Sequence, residues 1–160
     1  MKDLAYTPMT TDDLPVILRI ERECFANPWS RPMFERDMLH NKLAHIFTVR
    51  QEGRIVGYFS VWKIVDEGHL VTLAVDPPAR RQGIGSTVLR EIIRLSREIR
   101  IRKLTLEVRE NNSGAIRMYN SFGFIKAGVR LKYYEDGTDA WIMDLQLDPA
   151  AAGRDRGAAA

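Results

Sequence analysis

The stretch Leu70-Val71-Thr72-Leu73-Ala74-Val75-Asp76-Pro77-Pro78-Ala79-Arg80-Arg81-Gln82-Gly83-Ile84-Gly85-Ser86-Thr87-Val88-Leu89 decides how the rest of the chain is read. Its first six residues are apolar or β-branched and predict a strand. Two consecutive prolines cannot continue a strand ladder, so the chain leaves the sheet at Asp76-Pro77-Pro78. Beyond the glycine pair, Val88, Leu89, Ile92, Ile93 and Leu95 recur at helical spacing and predict a helix to about Ile99. A helix start presents unpaired N–H groups and the positive end of the dipole. Glycines let an anion approach that backbone closely, and Arg80 and Arg81 add charge beside it. The run Arg80, Arg81, Gln82, Gly83, Ile84, Gly85 and Ser86 therefore reads as a pyrophosphate cradle.

Two familiar phosphate loops do not fit. A dinucleotide-binding fingerprint needs a third glycine three positions after the second, where this chain has Val88, and needs the glycines directly after the strand. The P-loop needs Gly-Lys-Ser or Gly-Lys-Thr, which is absent.

Outward from this centre the periodicity changes several times. Leu4 to Met9 predicts a short strand. Thr11, as a cap, opens a helix carrying Leu14, Ile17, Leu18, Ile20, Cys24 and Phe25. Asn27-Pro28-Trp29-Ser30 breaks it, and Ser30 caps a second helix with Met33, Phe34, Met38 and Leu39. Strands follow at Ala44 to Val49, Ile55 to Val65 and Gly68 to Val75, the first two joined by a turn at Gln51 to Arg54. After the long helix, Leu104, Leu106 and Val108 alternate with Thr105 and Glu107, which puts Glu107 on the face opposite the leucines. Ser113 begins a short helix, and strands are expected at Phe124 to Tyr134 and Ala140 to Leu147 around the turn Glu135-Asp136-Gly137-Thr138. The expected fold class is α/β (α+β): one mixed central sheet, antiparallel on one side and partly parallel in the middle, with helices on both faces. One domain is expected over 1–148, with a disordered tail over 149–160.

Composition narrows the function. The chain has 160 residues, 45% hydrophobic and 28% charged, with a net charge of +3. One cysteine, Cys24, allows no internal disulfide, and no metal-ligand spacing appears among Cys24, His40, His45 and His69, so no metal is expected. No signal peptide or membrane-length apolar run is visible, which predicts a cytoplasmic protein with no membrane partner. The mild positive charge suits an anionic ligand. The arginine-rich helix lacks interleaved aromatics, so no nucleic acid is expected.

The combination of motifs resembles the GNAT superfamily of N-acetyltransferases, and within it the ribosomal-protein alanine acetyltransferases of the RimI type. Arg80, Gly83 and Gly85 meet the superfamily's glycine signature. Narrower matches are Leu73-Ala74-Val75-Asp76-Pro77, Leu106-Glu107-Val108-Arg109, Asn112 with Ala115-Ile116, Tyr119, Ser121-Phe122-Gly123-Phe124 and Tyr133-Tyr134 ahead of Asp139-Ala140. Asn27-Pro28-Trp29-Ser30 extends the likeness towards the N-terminus. The resemblance implies acetyl-coenzyme A as co-substrate. It implies that the backbone of Leu73, Ala74 and Val75 pairs with the pantetheine arm, that Arg81 to Ser86 hold the pyrophosphate and that Asn112 bonds the coenzyme. It implies Glu107 as general base and Tyr119 as general acid, acting on a protein N-terminus, for the RimI type that of a ribosomal protein.

Elementary chemistry asks for the same residue types. An amine attacks a thioester only when neutral, so a base must take its proton. Partial burial of Glu107 is expected to raise its pKa; the alternative is a structural ion pair with Arg109 or Lys103. A proton from Tyr119 would help a thiolate leave. Trp29, Tyr133 and Tyr134 could form walls around a peptide N-terminus, Trp29 being as readily explained by packing under loops. A lysine acceptor needs roughly 3 kcal/mol more than an α-amine to become neutral, which favours the α-amine; the alternatives are a lysine or small-molecule amine acceptor on the same fold, or a coenzyme A-binding sensor without turnover.

Overall fold

The computed structural model describes residues 3–147; the tail expected over 149–160 lies outside them. Strand β1 is Leu4–Pro8, followed by a single 3-10 turn at Thr11–Asp13. Helices α1 (Leu14–Cys24) and α2 (Arg31–Leu39) come next, then strands β2 (Ala44–Gln51), β3 (Arg54–Ile64) and β4 (Glu67–Val75). A second 3-10 turn, Pro77–Ala79, leads to α3 (Ile84–Glu98). The chain then runs through β5 (Lys103–Arg109), α4 (Ser113–Ser121), β6 (Ile125–Arg130) and β7 (Ala140–Gln146). Seven strands form one mixed sheet in the order β1-β2-β3-β4-β5-β7-β6. β4 and β5 pair parallel, whereas β1 with β2, β2 with β3, β5 with β7 and β6 with β7 pair antiparallel.

The sequence is corrected in two places. Thr10, not Thr11, stands at the helix entry, because Asp13 folds back to accept the Thr10 N–H at 3.0 Å and the intervening residues tighten into the 3-10 turn. The strand expected over Phe124 to Tyr134 stops at Arg130, and Tyr133 and Tyr134 belong to the connection before β7. Lys132 takes a positive φ of 50° and its N–H donates to Asp139 Oδ1 at 2.8 Å, geometry that ends extended pairing.

The chain divides into two compact units, the first made of residues 1–63 and 70–92, the second of 64–69 and 93–160. In the first, α1 buries Leu14, Ile17 and Ile20 against Phe34 of α2, Ile46 of β2 and Tyr58 of β3. Gly57 is required here: a Cβ at that position would stand 2.4 Å from the Ala74 carbonyl oxygen. In the second unit, Leu104, Leu106 and Val108 are buried on one face of β5, as the alternation predicts. The parallel ladder there joins Glu67, Gly68 and His69 to Lys103, Leu104 and Thr105. Gly68 has no room for a side chain, since a Cβ would meet Ile101 Cδ1 at 2.7 Å. Among the described residues no helix is long and apolar enough to cross a membrane.

Candidate active site

In the first unit, β4 ends at Val75 and hands the chain to a turn whose geometry suits an anion. Asp76 is buried and accepts both guanidinium nitrogens of Arg19, at 2.9 and 3.1 Å. The Arg80 guanidinium folds back: Nε donates to Val75 O at 3.2 Å and Nη2 lies 3.1 Å from Cys24 Sγ. The Cys24 thiol also points at Val75 O, at 3.6 Å, and burial pushes its pKa up. Arg80 thus braces the strand end, while Arg81 and Gln82 are exposed. Arg81 and Gly83 have φ of 62° and 75°, a left-handed path that brings the chain into α3 with Ile84 buried beneath it. Gly85 and Ser86 follow in the first turn, half-buried, where helix N–H groups lack intrahelical partners. Exposed arginine, left-handed glycine and free first-turn amides together suit a phosphate.

The second unit gathers the ionisable groups. Glu107 lies on β5 with its side chain only 11% exposed, and both oxygens are engaged. Oε2 is 2.6 Å from Nε2 of His69 on β4, and Oε1 accepts from Arg130 Nε on β6 at 3.2 Å. The two partners expected for it are occupied elsewhere: Arg109 bonds Asp136 at 2.9 Å and Lys103 pairs with Glu67 at 3.5 Å. The expected upward shift is also reversed. The His69 hydrogen bond outweighs desolvation and, with Arg130, holds the Glu107 carboxyl below its ordinary pKa.

Tyr119, on α4, packs edge-on against Phe124 with ring centroids 5.5 Å apart. Burial, reinforced by nearby Tyr134, pushes its phenol up to about 12. Asn112 caps α4, its Oδ1 accepting the Ala115 N–H at 3.2 Å. Tyr133 and Tyr134 meet edge to face at 5.1 Å, and the Arg109 guanidinium lies 4.0 Å over the Tyr134 ring. Desolvation raises the Tyr134 phenol as well. The second unit therefore brings Glu107, His69 and Arg130 into one network and sets Tyr134 close to both Tyr119 and Glu107. Trp29 belongs to the first unit. Its ring packs on Phe34 at 5.4 Å, and its backbone N–H donates to Glu21 Oε1 at 3.0 Å.

Sequence reasoning passed over His69, Arg130 and Glu21. A parallel register that places His69 beside Thr105 brings its ring to Glu107 two residues on, and that register is not readable from spacing. Glu21 falls on the apolar stripe of α1, a carboxylate at a core position, and that signal was available. It is buried, and desolvation raises its pKa to about 7.

Comparison with known proteins places this geometry in a class. The acetyltransferase (GNAT) family pattern matches residues 14–124, and the chain belongs to that family. It is therefore an acyltransferase, with the mixed sheet and four helices of that fold. The Escherichia coli (strain K12) ribosomal protein bS18-alanine N-acetyltransferase is 36% identical over 142 residues, covering 87% of this chain and 95% of the relative. The crystal structure of the ribosomal-protein-S18-alanine N-acetyltransferase from Escherichia coli superposes with a TM-score of 0.83 at 34% identity, covering 91% and 95%. An N-alpha-acetyltransferase of Sulfurisphaera tokodaii is 34% identical over 149 residues, covering 84% and 88%.

Proposed function

We propose that this protein transfers an acetyl group from acetyl-coenzyme A to the N-terminal α-amine of a protein, the acceptor being a ribosomal protein that begins with a small residue such as alanine. The observation that carries the reading is Glu107, a largely buried carboxylate held ionised by His69 and Arg130 on the strand where the family resemblance puts the base. Relatives named for N-terminal acetylation support the choice of acceptor.

Acetyl-coenzyme A, when bound, supplies an acyl group activated as a thioester. Arg81, Gln82, Gly83, Ile84, Gly85 and Ser86 would hold its pyrophosphate, with Arg80 bracing the loop behind them. The backbone of Leu73, Ala74 and Val75 would receive the pantetheine arm, and the amide nitrogen of Asn112 is left for the coenzyme while its oxygen caps α4. Tyr133 and Tyr134 would shape the acceptor subsite.

The attacking amine must arrive neutral. As nitrogen gains positive charge its proton becomes strongly acidic, and even a carboxylate of lowered pKa can take it. Glu107 is therefore suited to an amine whose neutral form is well populated, and an α-amine meets that condition far better than a lysine. Tyr119 keeps its proton across the working range and shares it with the departing sulfur. Full transfer from so weak an acid to a thiolate of pKa about 8.5 is uphill, so its role is to stabilise developing charge by hydrogen bonding.

A panel of synthetic peptides differing only in residue one, incubated with acetyl-coenzyme A and read by mass spectrometry, tests the reading. Acetylation at the α-amine, strongest for alanine or serine, is expected. Equal rates on N-terminally blocked peptides bearing lysine would overturn it.

A further inference from the structure

His69 is the main influence that keeps Glu107 ionised, and Arg130 adds a second positive group to the same carboxylate. A general base works best as an available carboxylate, yet here a guanidinium from β6, two strands away across β7, sits on Oε1 at 3.2 Å while His69 occupies Oε2. The same guanidinium lies 6.0 Å from the Tyr133 ring, beside the proposed acceptor walls. We infer that Arg130 is a specificity-determining residue, which favours a protein α-amine over a lysine side chain by keeping positive charge beside Glu107, so that a protonated amine is disfavoured there. This rests on Glu107 being the base.

The physical argument is a balance of charge. A solitary carboxylate attracts ammonium ions, and would draw a protonated lysine to the base, concentrating there the neutral form with which it exchanges. With Arg130 on Oε1 that attraction is cancelled. The remaining groups facing Glu107 do not restore it. Asp144 of β7 is tied to Thr105 Oγ1 at 2.8 Å, and Arg109 of β5 is tied to Asp136 and lies over Tyr134. His69 approaches from β4 and the Tyr134 phenol from the connection before β7. Near neutral pH roughly one α-amine in ten is uncharged, against on the order of one lysine in a thousand. A site that disfavours the protonated form therefore inherits part of that difference as selectivity.

Arg130 is 54% exposed at its side chain, so water softens its field and the contribution is modest, roughly fivefold. The test compares kcat/KM on two peptides: one with a free N-terminal alanine and no lysine, one blocked at its N-terminus and bearing a single lysine. In Arg130→Gln the lysine-to-alanine ratio is expected to rise roughly fivefold. The lysine rate should also climb less steeply with pH, because the protonated amine can then be bound. Arg130→Lys should restore both. Arg130→Met, which removes the same charge and keeps an aliphatic stem, is run in parallel against a folding failure. An unchanged ratio in the Gln and Met variants, or a Lys variant that behaves like them, would overturn the role of Arg130. Glu107→Gln separates the two levels of the claim. Undiminished rates in that variant reject Glu107 as base, whereas lost rates with an unchanged Arg130→Gln ratio reject only the selectivity device.

Discussion

At Glu107 two opposing effects meet, and magnitude decides between them. Burial alone would raise a carboxyl pKa. The hydrogen bond from His69 is the larger influence, so the group stays ionised throughout the neutral range. Hence, above about pH 5, a fall of kcat/KM on acidification does not come from protonation of Glu107. Glu107→Gln keeps the shape and hydrogen-bonding capacity but cannot accept a proton. We expect kcat/KM to drop on the order of 10²–10⁴-fold with coenzyme affinity unchanged, measured by steady-state kinetics beside a binding titration. Glu21 shows the opposite balance. Its Oε1 accepts one backbone N–H while Oε2 is buried without a partner, and desolvation wins. The folded state prefers the protonated form. The stability this contributes is complete below the ordinary carboxylate pKa and is lost as pH rises through about 7. The loss amounts to about 3 kcal/mol over that window. In Glu21→Gln the slope of unfolding free energy against pH should flatten there, as read by urea titrations at mildly acid and mildly alkaline pH. An unchanged slope would assign the pH dependence elsewhere.

The end of α3 shows how a residue type and an element's termination can conflict. Arg100 N–H bonds Arg97 O at 3.1 Å and Ile101 N–H bonds Ser96 O at 2.8 Å, the paired closure of a Schellman motif. The residue after the cap is then forced into the left-handed region, and Arg100 has φ 66° where glycine would be unstrained. Ile101, next in line, is fully buried. Arg100→Gly removes the strain and should stabilise the protein by about 0.5–1 kcal/mol, visible as a shifted thermal midpoint with activity retained. A destabilised variant would show that the guanidinium contributes more than the backbone strain costs. Elements were readable from sequence wherever a period ran for several residues. α3 and β5 came out within a residue or two, because each repeats its apolar positions at one regular period. The errors sit where a side chain bends the chain locally, at Asp13 under Thr10 and at Asp139 under Lys132. Such bonds join residues whose types are common in turns and carry no periodic signal.

For the molecule as a whole, the turn and helix start at the glycine loop were legible because their geometry is local, and the anion site proposed there draws on neighbouring residues of one turn. The Glu107 network was only half legible. Alternation along β5 predicted that Glu107 leaves the leucine face, but its partners come from β4 and β6, and strand order and register lie outside any local pattern. The same distinction allows coenzyme binding to be separated from folding. A ligand that binds only the folded protein raises stability by mass action, about 2.7 kcal/mol at a hundredfold excess over Kd. For a chain of 160 residues that corresponds to roughly 5–10 °C in Tm. Gly85→Asp places a carboxylate in the first turn of α3, where it complements the helix dipole and costs the free fold little. The same carboxylate faces the proposed pyrophosphate as a like charge. The variant should melt within a few degrees of the parent when free, yet show no upward shift with coenzyme A, while Glu107→Gln keeps the full shift. A Gly85→Asp protein that is still stabilised by coenzyme A would move the phosphate site away from the start of α3.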